Sequence, residues 1–108
     1  MSDFETVAKV GDIPTGGGRA YAVNGTMVAI FNTDGEYSAI NDTCPHAGAS
    51  LATGNVEENT VYCPWHAWRF CIQKGTWLDN PTGPINVATY SIRVQNGEIQ
   101  VQVPSETA

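Results

Sequence analysis

Cys44-Pro45-His46-Ala47-Gly48-Ala49-Ser50-Leu51 and Cys63-Pro64-Trp65-His66-Ala67-Trp68-Arg69-Phe70 are the two stretches on which the reading of this chain turns. Sixteen residues separate His46 from Cys63, and together the stretches use both histidines the protein has. Each offers one sulfur ligand and one nitrogen ligand within a single turn of chain. By residue type alone, two thiolates and two imidazoles would satisfy a structural zinc ion. The Cys-x-His spacing is tight for two ligands on one ion, however, and it suits a pair of adjacent metal ions better.

The pattern CxH, a spacer of sixteen, then CxxH resembles that of the Rieske family at all four ligand positions. Gly48 and Leu51 fit the family's CxHxGxxL first loop, and the second runs on from Cys63 to Phe70 and then Lys74-Gly75. Asn80-Pro81-Thr82-Gly83-Pro84 falls where the family has a third loop that closes over the cluster. The resemblance covers nearly the whole chain. It implies one [2Fe-2S] cluster with Cys44 and Cys63 on the inner iron and His46 and His66 on the outer one.

Ligand charge sets the electrochemical expectation. Two ferric ions, two sulfides and two thiolates sum to zero, so an added electron meets less repulsion than it would at a four-thiolate site. Potentials of such centres accordingly run from roughly −150 to +300 mV, against about −400 mV for plant-type ferredoxins. High-potential respiratory members carry a disulfide between the loops and hydroxyl donors to cluster sulfur. Here Ala49 and Trp65 stand at the disulfide positions, and Trp68 and Phe70 at those of the serine and tyrosine. The resemblance therefore implies a potential near the bottom of the window.

Both histidines being committed, none remains for the mononuclear iron of an oxygenase, and no nucleotide-binding fingerprint is present. The expectation is a carrier with no catalytic residues, passing single electrons from a flavin-dependent reductase to a terminal oxygenase. The chain also resembles the Rieske-type small subunit of NAD(P)H nitrite reductase, whose partner would be the large subunit of that enzyme. Asp12-Ile13-Pro14 before the glycine triplet, and Tyr90-Ser91-Ile92-Arg93-Val94 before Asn96-Gly97, carry this second likeness. Pro45, Ala47, Pro64 and Trp65 form an uncharged cap around the outer ligands, suited to transient docking. Trp68 is expected to pack beneath the cluster, Trp77 in the core, and Cys71 as a small buried residue in a strand after the second loop.

The 108 residues suffice for one domain with a real core, burying roughly 65% of the unfolded surface. A net charge of −6 disfavours nucleic acid and anionic membranes as partners. No apolar run reaches the length of a membrane span, and the start MSDFETVAK lacks signal-peptide character, so a cytoplasmic location is expected. Strand periodicity prevails. Phe4 to Lys9 reads as one strand; Arg19 to Val23 and Thr26 to Phe31 flank the hairpin signal Asn24-Gly25, and Asp34-Gly35 turns the chain into Glu36 to Ile40. Ala88 to Val94 and Glu98 to Val103 flank Asn96-Gly97. Ile13 to Gly18 reads as a loop. The fold expected is all-β: a single Rieske domain over residues 1–104, an antiparallel sandwich with a cluster-binding subdomain inserted at about 42–84, and a tail at 105–108.

Overall fold

The computed structural model describes residues 4–45, 48–65 and 68–104. Nine strands follow in chain order: β1 Phe4–Lys9, β2 Gly17–Val23, β3 Thr26–Thr33, β4 Glu36–Asn41, β5 Asn55–Glu57, β6 Thr60–Tyr62, β7 Arg69–Cys71, β8 Thr89–Gln95 and β9 Glu98–Gln102. Among the described residues the only helical segment is a 3-10 turn at Leu51–Thr53. Six strands form an antiparallel sheet in the order β1-β9-β8-β4-β3-β2, and β5-β6-β7 form a second, three-stranded sheet. The second sheet is an insertion between β4 and β8, which pair directly through Ala39–Tyr90 and Ile40–Thr89. The expected architecture is thus observed.

Three hairpins turn where Asn-Gly or Asp-Gly predicts. Asn24, Asp34 and Asn96 adopt φ of 51°, 60° and 55°, each followed by a glycine with positive φ. A two-residue turn matched to strand twist needs positive φ at both positions, which asparagine and aspartate tolerate and glycine adopts without strain. The glycine triplet differs from its expected loop: Gly17 and Gly18 begin β2. A Cβ at Gly18 would stand 2.6 Å from the Phe31 ring, so only a residue without a side chain leaves room for that ring here.

Strand β3 explains how one sheet serves two cores. Alternate residues point to opposite faces, and Val28, Ala29, Ile30 and Phe31 are all fully buried. Val28 and Ile30 join Ala8, Ile13, Ile99, Val101 and Val103 in a core built wholly by the scaffold. Ala29 and Phe31 face the other way and pack with Ile40, Leu51, Val61, Phe70, Ile72, Cys44 and Cys63. The inserted sheet therefore rests on the back of the scaffold, and the two cysteines belong to the core between them. No helix of the described residues is long and apolar enough to cross a membrane.

Candidate metal centre

The two cysteine loops close by the same device. The Cys44 N–H donates to the Ala49 carbonyl at 2.9 Å, and the Cys63 N–H to the Trp68 carbonyl at 2.7 Å. In both, the cysteine amide reaches the carbonyl five residues ahead. The first loop is tightened by Gly48 N–H to Cys44 carbonyl at 2.8 Å, with Gly48 at φ +70°. Thr43 and Ser50 bridge its base. The second springs from β6 and returns along β7, whose pairing sets Tyr62 opposite Arg69.

These closures bring Cys44 and Cys63 together. They are 1% and 2% exposed, their sulfurs lie within hydrogen-bonding reach, and neither is in a disulfide. Burial pushes the Cys63 thiol up, the Trp65 backbone N–H pulls it down by hydrogen bonding to its sulfur, and the neighbouring Cys44 raises it further. Two buried thiols side by side resist becoming two thiolates unless a cation lies between them, which makes this donor set a fit for a metal centre. His46, Ala47 and His66 lie outside the described residues, as does the expected tail at 105–108. Of the expected cap, Pro45 and Pro64 are exposed and Trp65 is 62% exposed.

Trp68 is half-buried and packs on the core beside the cysteines, as expected. Trp77, expected in the core, packs against this same core but is half-buried rather than enclosed. It stacks on Trp68 with ring centroids 4.0 Å apart and planes 13° from parallel, while its Nε1 donates to Asp79 Oδ2 at 3.2 Å near the surface. The indole N–H needs a partner, which draws one edge of the ring outward. Asp79 in turn accepts from Arg69 Nη2 at 2.8 Å and Nε at 3.1 Å, and the Leu78 N–H donates to the Arg69 carbonyl at 2.8 Å. The segment fastened to the second loop is thus Trp77 to Asp79, immediately before the Pro81–Pro84 stretch. Cys71 ends β7 and is half-buried rather than buried, because strand alternation turns Phe70 into the core and Cys71 to the opposite face.

Sequence reasoning missed Asp79 and Arg69, whose only signal was opposite charge ten residues apart. The hydrogen-bonded guanidinium of Arg69 holds the Asp79 carboxyl below its ordinary value, outweighing partial desolvation. An acid with a lowered folded-state value binds its proton more readily when unfolded, so stability rises with pH. The contribution is complete above the ordinary carboxylate range and vanishes as pH falls through the lowered value. The melting-temperature gap between the native protein and Asp79→Asn should therefore close as pH drops below about 4. A gap constant across that range would show that the pair does not act through charge.

The Rieske [2Fe-2S] domain model matches residues 3–91. The chain is 40% identical over 98 residues to the 3-phenylpropionate/cinnamic acid dioxygenase ferredoxin subunit of Shigella flexneri serotype 5b (strain 8401), covering 88% of this chain and 89% of that one. Among solved structures it resembles the ferredoxin of carbazole 1,9a-dioxygenase from Nocardioides aromaticivorans IC177, with a TM-score of 0.82 and 28% identity over 93% of this chain and 97% of that one. It also resembles the putative NADH-dependent nitrite reductase small subunit from Mycobacterium tuberculosis, with a TM-score of 0.88 and 26% identity over 97% and 98%. Paired buried cysteines at the bases of two matched loops, a family model covering residues 3–91 and a scaffold shared with these proteins make this chain a member of the Rieske [2Fe-2S] domain family.

Proposed function

We propose that the protein is a one-electron carrier, holding one [2Fe-2S] cluster through Cys44, His46, Cys63 and His66, that receives electrons from a flavin-dependent reductase and delivers them to a terminal oxygenase. The observation that carries this reading is the 40% identity, over most of both chains, to a dioxygenase ferredoxin subunit. When bound, such a cluster would supply the acceptance and release of single electrons. The chain's own part is to hold and expose. Cys44 and Cys63 anchor the buried side, and the Trp65 N–H donates to the Cys63 sulfur. Pro45, Ala47, Pro64 and Trp65 form the uncharged docking cap, and the tryptophan offers a large apolar contact at its tip. Residues 1–104 act as one unit, with 105–108 as a tail, in a cytoplasmic setting.

A nitrite reductase small subunit is the second reading, favoured by the backbone overlap of 0.88. That overlap measures the scaffold, whereas sequence identity also samples the surface that meets a partner, and the higher identity lies with the dioxygenase ferredoxin subunits. Anaerobic mixing separates the two. The carrier should bleach with NADH and a ferredoxin reductase and regain its colour on addition of a Rieske terminal oxygenase. Stoichiometric co-purification with a sirohaem large subunit, with no electron transfer to the oxygenase, would overturn the first reading.

A low potential follows from the missing donors, and Phe70 tests it. This residue is fully buried in the core that holds both cysteines. Phe70→Tyr should raise the midpoint potential, since a hydroxyl donated to sulfur stabilises the more negative reduced state. It should also cost about 1–3 kcal/mol of stability for the added volume. A lower potential would show that the hydroxyl does not reach sulfur.

A further inference from the structure

We propose that Asp42 is the positioning residue of the first ligand loop, an inference that rests on reading Cys44 and His46 as ligands. Asp42 is only 5% exposed, and burying a carboxylate costs several kcal/mol unless hydrogen bonds replace its water. No cation pairs with it among the described residues. Its Oδ1 accepts instead from Ser50 Oγ at 2.9 Å and from the Ala52 N–H at 2.9 Å. The backbone of the same residue is equally committed: its N–H donates to the Met27 carbonyl, at the start of β3, at 2.9 Å, and its carbonyl accepts from the Leu51 N–H at 2.7 Å.

Asp42 stands where the chain leaves β4 and is two residues ahead of Cys44. Ser50, Leu51 and Ala52 stand where the loop ends. A single residue therefore ties both feet of the loop to each other and to β3. Hydrogen bonds to a charged acceptor are stronger than neutral ones, which gives a carboxylate the advantage over an amide at this post. Its effect is to present the cysteine in place without calling on the metal to organise the loop, so less ordering opposes cluster retention. Ser50 supplies one of the two side-chain bonds and Leu51, fully buried in the core shared with the cysteines, pins the far foot.

The test compares holoproteins bearing Asp42→Ala, Asp42→Asn and Ser50→Ala. Iron loss to a chelator is followed in the visible band, and exchange of the Ala52 amide by NMR. Asp42→Ala removes both side-chain bonds and should lose iron about tenfold faster than the native protein, with faster Ala52 exchange. Asp42→Asn keeps an oxygen acceptor in the same place and should stay within about threefold of the native rate. Rescue by asparagine is what a fastening role demands; equal lability of Asp42→Asn and Asp42→Ala would overturn it. Should Asp42→Ala not fold, Ser50→Ala carries the same prediction with one bond lost, and a native rate there would overturn the proposal. A native protein that binds no iron would instead refute the ligand reading itself. Native iron retention matched by all three variants would refute only the role of Asp42.

Discussion

Cys63→Ser should purify without colour or bound iron, while its far-ultraviolet spectrum should keep the signature of the six-stranded sheet. The first half of this expectation follows from the donor set. A serine hydroxyl does not become an alkoxide ligand near neutral pH as a thiol becomes a thiolate, and the Cys44 sulfur alone cannot anchor the buried side of the cluster. The second half follows from the division of the core. Ala8, Ile13, Val23, Val28, Ile30, Ala39, Ile99, Val101 and Val103 form a buried set on the face of the sheet away from the cysteines. That set contains no residue of either ligand loop. Loss of the metal should loosen β5 to β7, whose strands are three residues each, and leave the scaffold folded. Far-ultraviolet dichroism and thermal melting of the colourless variant check this. Loss of all cooperative unfolding would mean that the cluster organises the whole chain.

Gly54→Ala should damage fold and metal centre together, from a residue that binds nothing. Its backbone, at φ −78° and ψ 169°, is an ordinary extended conformation that alanine adopts freely. The constraint is contact: a Cβ here would collide with the carbonyl oxygen of Tyr62, the residue before Cys63. Backbone cannot swing aside as a flexible side chain can. Either the turn Leu51–Thr53 shifts away from the insertion, or β6 moves and takes Cys63 with it. Overpacking of this kind costs about 1–3 kcal/mol, or about 5–20 °C in melting temperature for a domain of this size. Accelerated iron loss should accompany it. A variant as stable as the native protein, with native iron retention, would show that the close approach of Gly54 to Tyr62 is not a feature of the molecule in solution.

The parts of this structure that were legible in the sequence are those set by local chemistry. Asn24-Gly25, Asp34-Gly35 and Asn96-Gly97 mark turns because few residues accept positive φ, and β9 beside the last of them alternates as its burial requires. The turn between β5 and β6 uses Glu58 at φ 55° followed by Asn59, a pair with no strong turn signature, and those strands are too short to show a period. Tertiary packing imposes that turn. The same distinction divides the site. Cys44 and Cys63 were legible from spacing. The residues that seat them were not: Asp42 reads as an ordinary polar residue before a loop, and its burial exists only once the loop folds back on it. Trp77 packs against the core as large aromatics usually do, yet its indole N–H is drawn to Asp79 at the surface and the ring stays half-buried. The apolar character of a side chain says that it packs, while the placement of its polar atom decides how deeply.

One measurement bears most directly on the account. Native protein, purified anaerobically and reduced, should contain two irons and two acid-labile sulfides per chain. Its visible absorption should bleach on one-electron reduction, and pulsed paramagnetic resonance should show hyperfine coupling to nitrogens of two imidazoles, lost in turn from His46→Ala and His66→Ala. A colourless chain holding one zinc, or an iron centre with no imidazole coupling, would contradict the assignment of Cys44, His46, Cys63 and His66 and the electron-carrier function built on it.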